Sequence, residues 1–127
     1  MADREALPHY PGSAPIEAYG NGGFRFAGMS HRGSLLCLPD GIWGWPVASP
    51  GAVSEDALGQ IFAQATDLDL VLIGTGRDPW VMPDALRQRF RALQLTADTM
   101  PTGAAVRTYN VLLAERRRVA AGLIAVD

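Results

Sequence analysis

Lysine is missing from the sequence, since all eleven basic residues are arginine. Its absence excludes a P-loop lysine, a Schiff-base lysine and a lysine general base. Cysteine is almost as scarce, with one residue in 127. Cys37 therefore cannot form an internal disulfide, and the apolar run around it predicts a buried small side chain rather than a reactive thiol.

Histidine is also rare, and His9 and His31 are the only two in the chain. With one cysteine they do not supply a three- or four-ligand zinc site, so we expect neither a metal nor another cofactor. No apolar stretch approaches the roughly 18 residues that span a bilayer, and no secretory signal follows Met1. These absences predict a cytoplasmic protein of bacterial type that does not span a membrane.

The formal net charge of −2 argues against nucleic acid as a partner. A chain of 127 residues with 48% hydrophobic residues fits one globular domain. Residues 1–15 contain three prolines and show no periodicity, which predicts an extended N-terminal arm. Residues 16–127 are expected to form a single domain.

The pattern of turns and apolar positions predicts β-hairpins in the N-terminal part of the chain and alternating helices and strands in the C-terminal part. Asn21-Gly22-Gly23 is a hairpin signal between Ile16–Tyr19 and Phe24–Met29. Further strands are predicted at Ser34–Leu38 and Ile42–Trp45. The later elements are predicted as a helix at Glu55–Ala65, a strand at Leu68–Ile73, a helix from Pro83 or Asp84, a strand at Leu93–Ala97, a helix at Thr102–Ala114 and a strand at Val119–Val126. This order predicts an α/β fold with a mixed sheet and N-terminal β-hairpins.

The sequence Gly74-Thr75-Gly76 directly follows the predicted buried strand, where ligands sit in open α/β sheets. Two glycines allow backbone N–H groups to approach an anion closely. Pro79 replaces the third glycine of a dinucleotide-binding fingerprint, so that motif is not present. A plain tight turn at the strand end is the alternative.

The helix from Thr102 has apolar residues on two sides, which predicts packing on both sides and partial burial of Arg107. A buried guanidinium needs a partner. The partner of Arg107 is either the carboxylate of Asp69 or Asp98, or a small anion bound near the start of the helix. The predicted pocket comprises Gly74, Thr75, Gly76, Thr102, Gly103, Arg107 and Asn110.

Two other features have open interpretations. Trp43 and Trp45 lie on one side of their strand, so they form either a partner surface, including a homo-oligomer interface, or part of the core. The run Arg116-Arg117-Arg118 lies at the end of a predicted helix. It forms either a turn exposed to solvent or a surface that binds an anionic partner. Ser30 is not followed by a helix and lacks the glycine spacing of a hydrolase nucleophile elbow.

Three segments carry a family resemblance: Leu72–Gly76, Thr102–Glu115 and Arg118–Ala121. They resemble a small family of unknown biochemical function, which includes uncharacterised bacterial and archaeal proteins and the mitochondrial respiratory complex I (NADH:ubiquinone oxidoreductase) assembly factor 3. The resemblance covers about residues 16–126. It implies a three-layer α/β fold with a mixed central sheet and no established enzyme activity.

These observations lead to two main functional hypotheses. The first is a non-catalytic interaction protein with protein partners, acting as an assembly or stability factor for a membrane-associated complex. The second is a small-molecule or anion-binding protein, or an enzyme, that uses the predicted pocket between Gly74–Gly76 and Thr102–Arg107.

Overall fold

Two β-sheets and three helices make up the part of the chain that the computed structural model describes, residues 7–127. The strands are β1 Ile16–Gly20, β2 Gly23–Phe26, β3 Met29–Arg32, β4 Ser34–Leu38, β5 Gly41–Trp45, β6 Leu70–Gly74, β7 Thr96–Met100 and β8 Val119–Leu123. The helices are α1 Gly59–Ala63, α2 Asp84–Ala92 and α3 Thr102–Ala114. Short 3-10 turns lie at Pro50–Ala52 and Ala65–Asp67.

The larger sheet has the order β5-β4-β8-β6-β7. Strand β6 is parallel to both neighbours, β7 and β8, while β4 is antiparallel to β5 and β8. This arrangement confirms the predicted mixed sheet. Strands β1, β2 and β3 form a separate antiparallel sheet.

Side chains that alternate along the central strands supply two cores, one on each face of the sheet. On the first face, Leu36, Ile73 and Ala120 pack in one cluster with residues of α1 and α2. On the second face, Leu35 and Cys37 pack with residues of α3 and of the three-stranded sheet. The three-layer α/β architecture is therefore confirmed.

Cys37 is completely buried, as its apolar neighbours predicted. Burial raises the pKa of its thiol to about 12. A thiol with so little thiolate near neutral pH is a core side chain and not a nucleophile.

The predicted strand Phe24–Met29 is wrong, since the chain turns inside it. Ala27 and Gly28 both have positive φ angles, 50° and 74°. They connect β2 to β3, whose residues pair across the turn as Phe26 with Met29. The turn gives the small sheet its third strand.

Both ends of α3 and the start of α2 were predicted correctly. The predicted helix Glu55–Ala65 is shorter, because residues 55–58 form turns and regular helix covers Gly59–Ala63. The predicted strand Leu93–Ala97 begins three residues later, at Thr96. Gln94 adopts a φ of 55° and the Leu95 N–H bonds to the Phe90 carbonyl, which closes α2 before β7 starts.

The N-terminal arm falls partly outside the described residues, which exclude 1–6. In the described part, the His9 N–H donates to the Ile42 carbonyl at 2.8 Å, and the Ile42 N–H donates to the Tyr10 carbonyl at 3.0 Å. Ala14 is buried against the second core. These contacts place His9 and Tyr10 beside β5.

Candidate functional site

The Gly74–Gly76 turn lies at the end of β6, facing the start of α3. Its backbone donors are already used: the Thr75 N–H bonds to the Met100 carbonyl at 2.8 Å, and the Gly76 N–H bonds to Thr102 Oγ1 at 2.9 Å. The Thr75 hydroxyl bonds to the Asp78 carbonyl at 2.8 Å. These N–H groups are therefore not available to a ligand in this arrangement.

Thr102 joins three parts of the fold. Its hydroxyl donates to the Ile124 carbonyl at 2.6 Å and accepts from the Gly76 N–H. Its own N–H donates to the Gly76 carbonyl at 2.9 Å. Because Thr102 is fully buried, its hydroxyl needs these partners. The residue fixes the start of α3 against the β6 turn and the end of β8.

Gly74 and Asn110 also act within the fold. A Cβ on Gly74 would lie 3.1 Å from the Cα of Thr102, so the glycine allows close approach of α3. The Asn110 side chain accepts from the Ile16 N–H at 2.8 Å and donates to the Ile16 carbonyl at 2.9 Å. This pair of bonds ties α3 to β1.

The remaining pocket residues, Gly76, Gly103 and Arg107, line a surface cleft of about 600 Å³. Tyr19 forms another part of its wall, and a Cβ on Gly103 would overlap the Tyr19 hydroxyl. Arg77 also lines the cleft and donates to the Asp127 carbonyl. The structure thus brings three of the seven predicted pocket residues to one accessible surface.

Arg107 is exposed, and the prediction that it is partly buried is wrong. Val111, one turn further along α3, is 57% exposed, and Ala114 is exposed too. The face that contains them is therefore not packed against another element of residues 7–127. Within that range the Arg107 guanidinium has no hydrogen bond or ion pair.

Asp69, one of the proposed partners of Arg107, instead binds the arginine run after α3. Its carboxylate accepts from the Arg118 N–H at 2.9 Å and lies 3.6 Å from the Arg117 guanidinium. The Arg118 N–H, with both guanidinium groups, holds the pKa of Asp69 below its ordinary value. Arg116, Arg117 and Arg118 are themselves exposed.

The two tryptophans differ in burial. Trp45 is 5% exposed, donates from Nε1 to the Ala57 carbonyl at 2.9 Å and covers Gly122, where a Cβ would collide with its ring. This burial removes Trp45 from the predicted partner surface. Trp43 is half-buried at the edge of the first core, and an oligomer interface there stays a prediction.

A second cavity, of about 570 Å³, was not predicted from the sequence. It is lined by His9, His31 and Trp43. Partial burial lowers the pKa of His31, and the nearby His9 ring lowers it further. The two histidines are 22 positions apart in the sequence, so no local spacing indicates that their rings meet.

The described part of the chain contains no helix long and apolar enough to cross a membrane. The cleft beside α3 and the histidine cavity are built from different elements. Comparisons with known proteins identify the family of this chain.

A family model described as "Protein of unknown function (DUF498/DUF598)" matches residues 16–124. An uncharacterised protein of Rhodobacter capsulatus is 41% identical over 98% of this chain and 93% of its own length. The zebrafish (Danio rerio) NADH dehydrogenase [ubiquinone] 1 alpha subcomplex assembly factor 3 is 26% identical over 86% of this chain. The match spans 63% of the zebrafish protein, so this chain corresponds to part of it.

Solved structures agree with the fold. A crystal structure described as an outer membrane protein from Bartonella henselae has a TM-score of 0.90 and 50% identity, and covers 94% of this chain and all of that one. A solution structure from Bordetella pertussis, described as an Mth938-like domain, has a TM-score of 0.78 and 25% identity and covers 94% of this chain and 92% of that one. The family model and the Rhodobacter capsulatus relative show that the chain belongs to the family described as protein of unknown function (DUF498/DUF598).

Proposed function

We propose that this protein is a non-catalytic interaction protein that helps to assemble or stabilise a membrane-associated complex of respiratory type. The observation that carries the proposal is the outward face of α3, formed by Arg107, Val111 and Ala114. This face exposes 57% of Val111 beside a guanidinium without a partner in residues 7–127. An exposed apolar side chain next to a free cation is suited to protein contact.

Two further observations support this proposal. The chain is similar to proteins named as assembly factors of NADH dehydrogenase, over 86% of its length in the zebrafish case. In addition, the polar groups of Thr75, Thr102 and Asn110 are bonded inside the fold. Groups occupied in this way favour a role in binding over a role in catalysis.

The chemistry of the α3 face indicates the kind of partner. Arg107 offers a fork of N–H donors that fits a carboxylate, and Val111 offers an apolar contact one turn away. A protein segment with an acidic residue beside an apolar one matches this face. We therefore propose a subunit or a fellow assembly factor with such a segment as the occupant.

Gene deletion in the organism that encodes the chain tests the proposal. We expect less fully assembled respiratory complex I on native gels, with recovery when the wild-type gene is returned. Val111→Asp should fail to restore assembly, because it places a carboxylate in the contact. Val81→Asp is the matched control, since Val81 is 80% exposed in the loop before α2.

Each outcome of this experiment has a distinct meaning. Unchanged complex I after deletion would overturn the assembly role. Full rescue by Val111→Asp would retain the role and overturn the α3 face as its surface. Circular dichroism of both purified variants checks that they remain folded.

A small anion bound in the 600 Å³ cleft is a second candidate, favoured by Arg107 on its wall. Inorganic phosphate is a suitable probe, because helix starts and arginine both favour it. Phosphate should raise the melting temperature of the wild type and of Arg91→Gln, an exposed arginine on α2, but not of Arg107→Gln. An equal response in all three proteins would count against this site.

A further inference from the structure

Both histidines of the chain meet in the cavity beside β5, although they come from different segments. His9 belongs to the segment before β1, and His31 belongs to β3. Their ring centroids are 5.0 Å apart, with an angle of 46° between the ring planes. This distance and tilt bring two imidazoles within reach of a common ligand.

The surrounding backbone holds each histidine in place. The His9 N–H is bonded to the Ile42 carbonyl of β5 at 2.8 Å. His31 Nε2 lies 3.2 Å from the Ser34 carbonyl oxygen, which can only accept. Nε2 therefore donates its hydrogen, and Nδ1 keeps its lone pair. Metal-binding histidines are oriented in the same way, by donation from the second ring nitrogen.

Gly44 on β5 makes room for the two rings. A Cβ at this position would lie 3.2 Å from His31 Cε1 and 3.5 Å from His9 Nε2. Both imidazoles therefore share the space above a residue that has no side chain. A side chain at position 44 would crowd the His31 ring and fill the space beside the His9 ring.

We propose that His9 and His31 together bind one divalent transition-metal ion, of the class that includes Zn²⁺ and Ni²⁺, with water at the remaining positions. Two imidazoles that share a tetrahedral ion through bonds of about 2.0–2.1 Å have ring centroids about 5 Å apart. The observed 5.0 Å meets this requirement. This metal site is separate from the proposed interaction role and does not depend on it.

The site differs from the zinc sites that the sequence excludes. Residues 7–127 contain no group of three or more histidine, cysteine or acidic side chains placed to hold a metal. The ion would therefore be held by two protein ligands and exchange readily, unlike a structural zinc. It would link the N-terminal segment to β3 and thereby stabilise the packing of that segment on β5.

Calorimetric titration of the tag-free protein with ZnCl₂ or NiCl₂ alone tests the proposal. We expect about one ion per chain with a dissociation constant in the micromolar range. His9→Gln and His31→Gln should each weaken binding by at least about tenfold. Asp98→Asn is the control, because Asp98 is an exposed acid on β7 that does not line this cavity, and it is expected to leave the affinity unchanged.

A second measurement covers variants that fold poorly. In the wild-type protein, Zn²⁺ should shift the ring-proton NMR signals of both histidines together. The proposal is overturned if the wild-type protein binds no ion up to about 1 mM metal, or if either histidine variant binds the ion with wild-type affinity. A shift of one histidine alone would also overturn it, since the site requires both rings.

Discussion

Asn110 and Tyr109 are neighbours on α3 whose polar groups have opposite surroundings. The Asn110 amide makes two hydrogen bonds to the backbone of Ile16. The Tyr109 hydroxyl is buried and makes no hydrogen bond of good geometry among residues 7–127, although the Cys37 thiol lies beside it. The pKa of this hydroxyl is raised by burial, and the adjacent Cys37 adds to the increase. The two residues therefore provide a matched comparison.

We expect Asn110→Ala to lower the free energy of unfolding by about 1–3 kcal/mol, because it leaves the Ile16 N–H and carbonyl without partners. Tyr109→Phe removes a hydroxyl that makes no well-formed hydrogen bond and only neighbours the weakly bonding Cys37 thiol, so its effect should stay within about 1 kcal/mol. Urea unfolding of both variants measures the difference. A larger loss for Tyr109→Phe than for Asn110→Ala would contradict the assigned roles.

At the residue scale, the sequence indicated the pocket but not the role of its members. Gly76, Gly103 and Arg107 line one cleft, and its use as a binding site stays a prediction. Asn110 could not be assigned from sequence, because its partner Ile16 lies 94 positions away. Arg107 was misjudged because small apolar residues on a helix face do not reveal whether another element covers them.

The contact between β6 and α3 determines the shape of the candidate site. Gly74→Ala would place a Cβ 3.1 Å from both the Cα and the hydroxyl oxygen of Thr102. We expect a loss of about 1–3 kcal/mol in the free energy of unfolding, as for other overpacked positions. Thermal and urea unfolding measure the loss.

Gly51→Ala is the matched control, because a Cβ there would meet no atom within 4 Å. It should change stability by no more than about 0.5 kcal/mol. Equal effects of the two substitutions would show that the β6–α3 approach is not tightly packed.

Asp69 links the starts of β6 and β8 through its bonds to Arg118. Since its pKa is lower in the folded chain than in the unfolded one, its ionised form stabilises the fold. That stabilisation is present above about pH 4 and is lost as the pH falls through the lowered folded-state pKa. We expect Asp69→Asn to be less stable than wild type at pH 7 and closer to it in acid.

Urea unfolding at pH 7 and at about pH 3 tests this dependence. Asp98→Asn serves as the control, because Asp98 is an exposed acid on β7. A gap between wild type and Asp69→Asn that stays constant with pH would contradict the assigned ion pairs.

At the element scale, long elements with clear ends were predicted best. The apolar positions of α3 repeat over more than three turns, and Pro101 precedes its first residue. The start of β7 was misplaced because Leu93-Gln94-Leu95, with leucines two positions apart, fits the end of a helix as well as a strand. The backbone reversal at Gln94 decides between them, and no glycine marks it.

At the scale of the whole molecule, the three layers separate two surfaces. The cleft and the outward face of α3 lie on the side of the second core, whereas Trp43 and the histidine cavity lie along β5. The sequence alone predicted the α/β class and the mixed sheet from the order of elements. It could not predict the meeting of His9 with His31, which depends on how the N-terminal segment packs on β5.

Affinity purification of the tagged protein from its native cells is the most direct test of the interaction role. We predict that respiratory complex subunits or assembly factors are recovered with the wild type and with Val81→Asp, and are strongly depleted with Val111→Asp. Recovery of the protein alone, or of the same partners with all three proteins, would contradict the account.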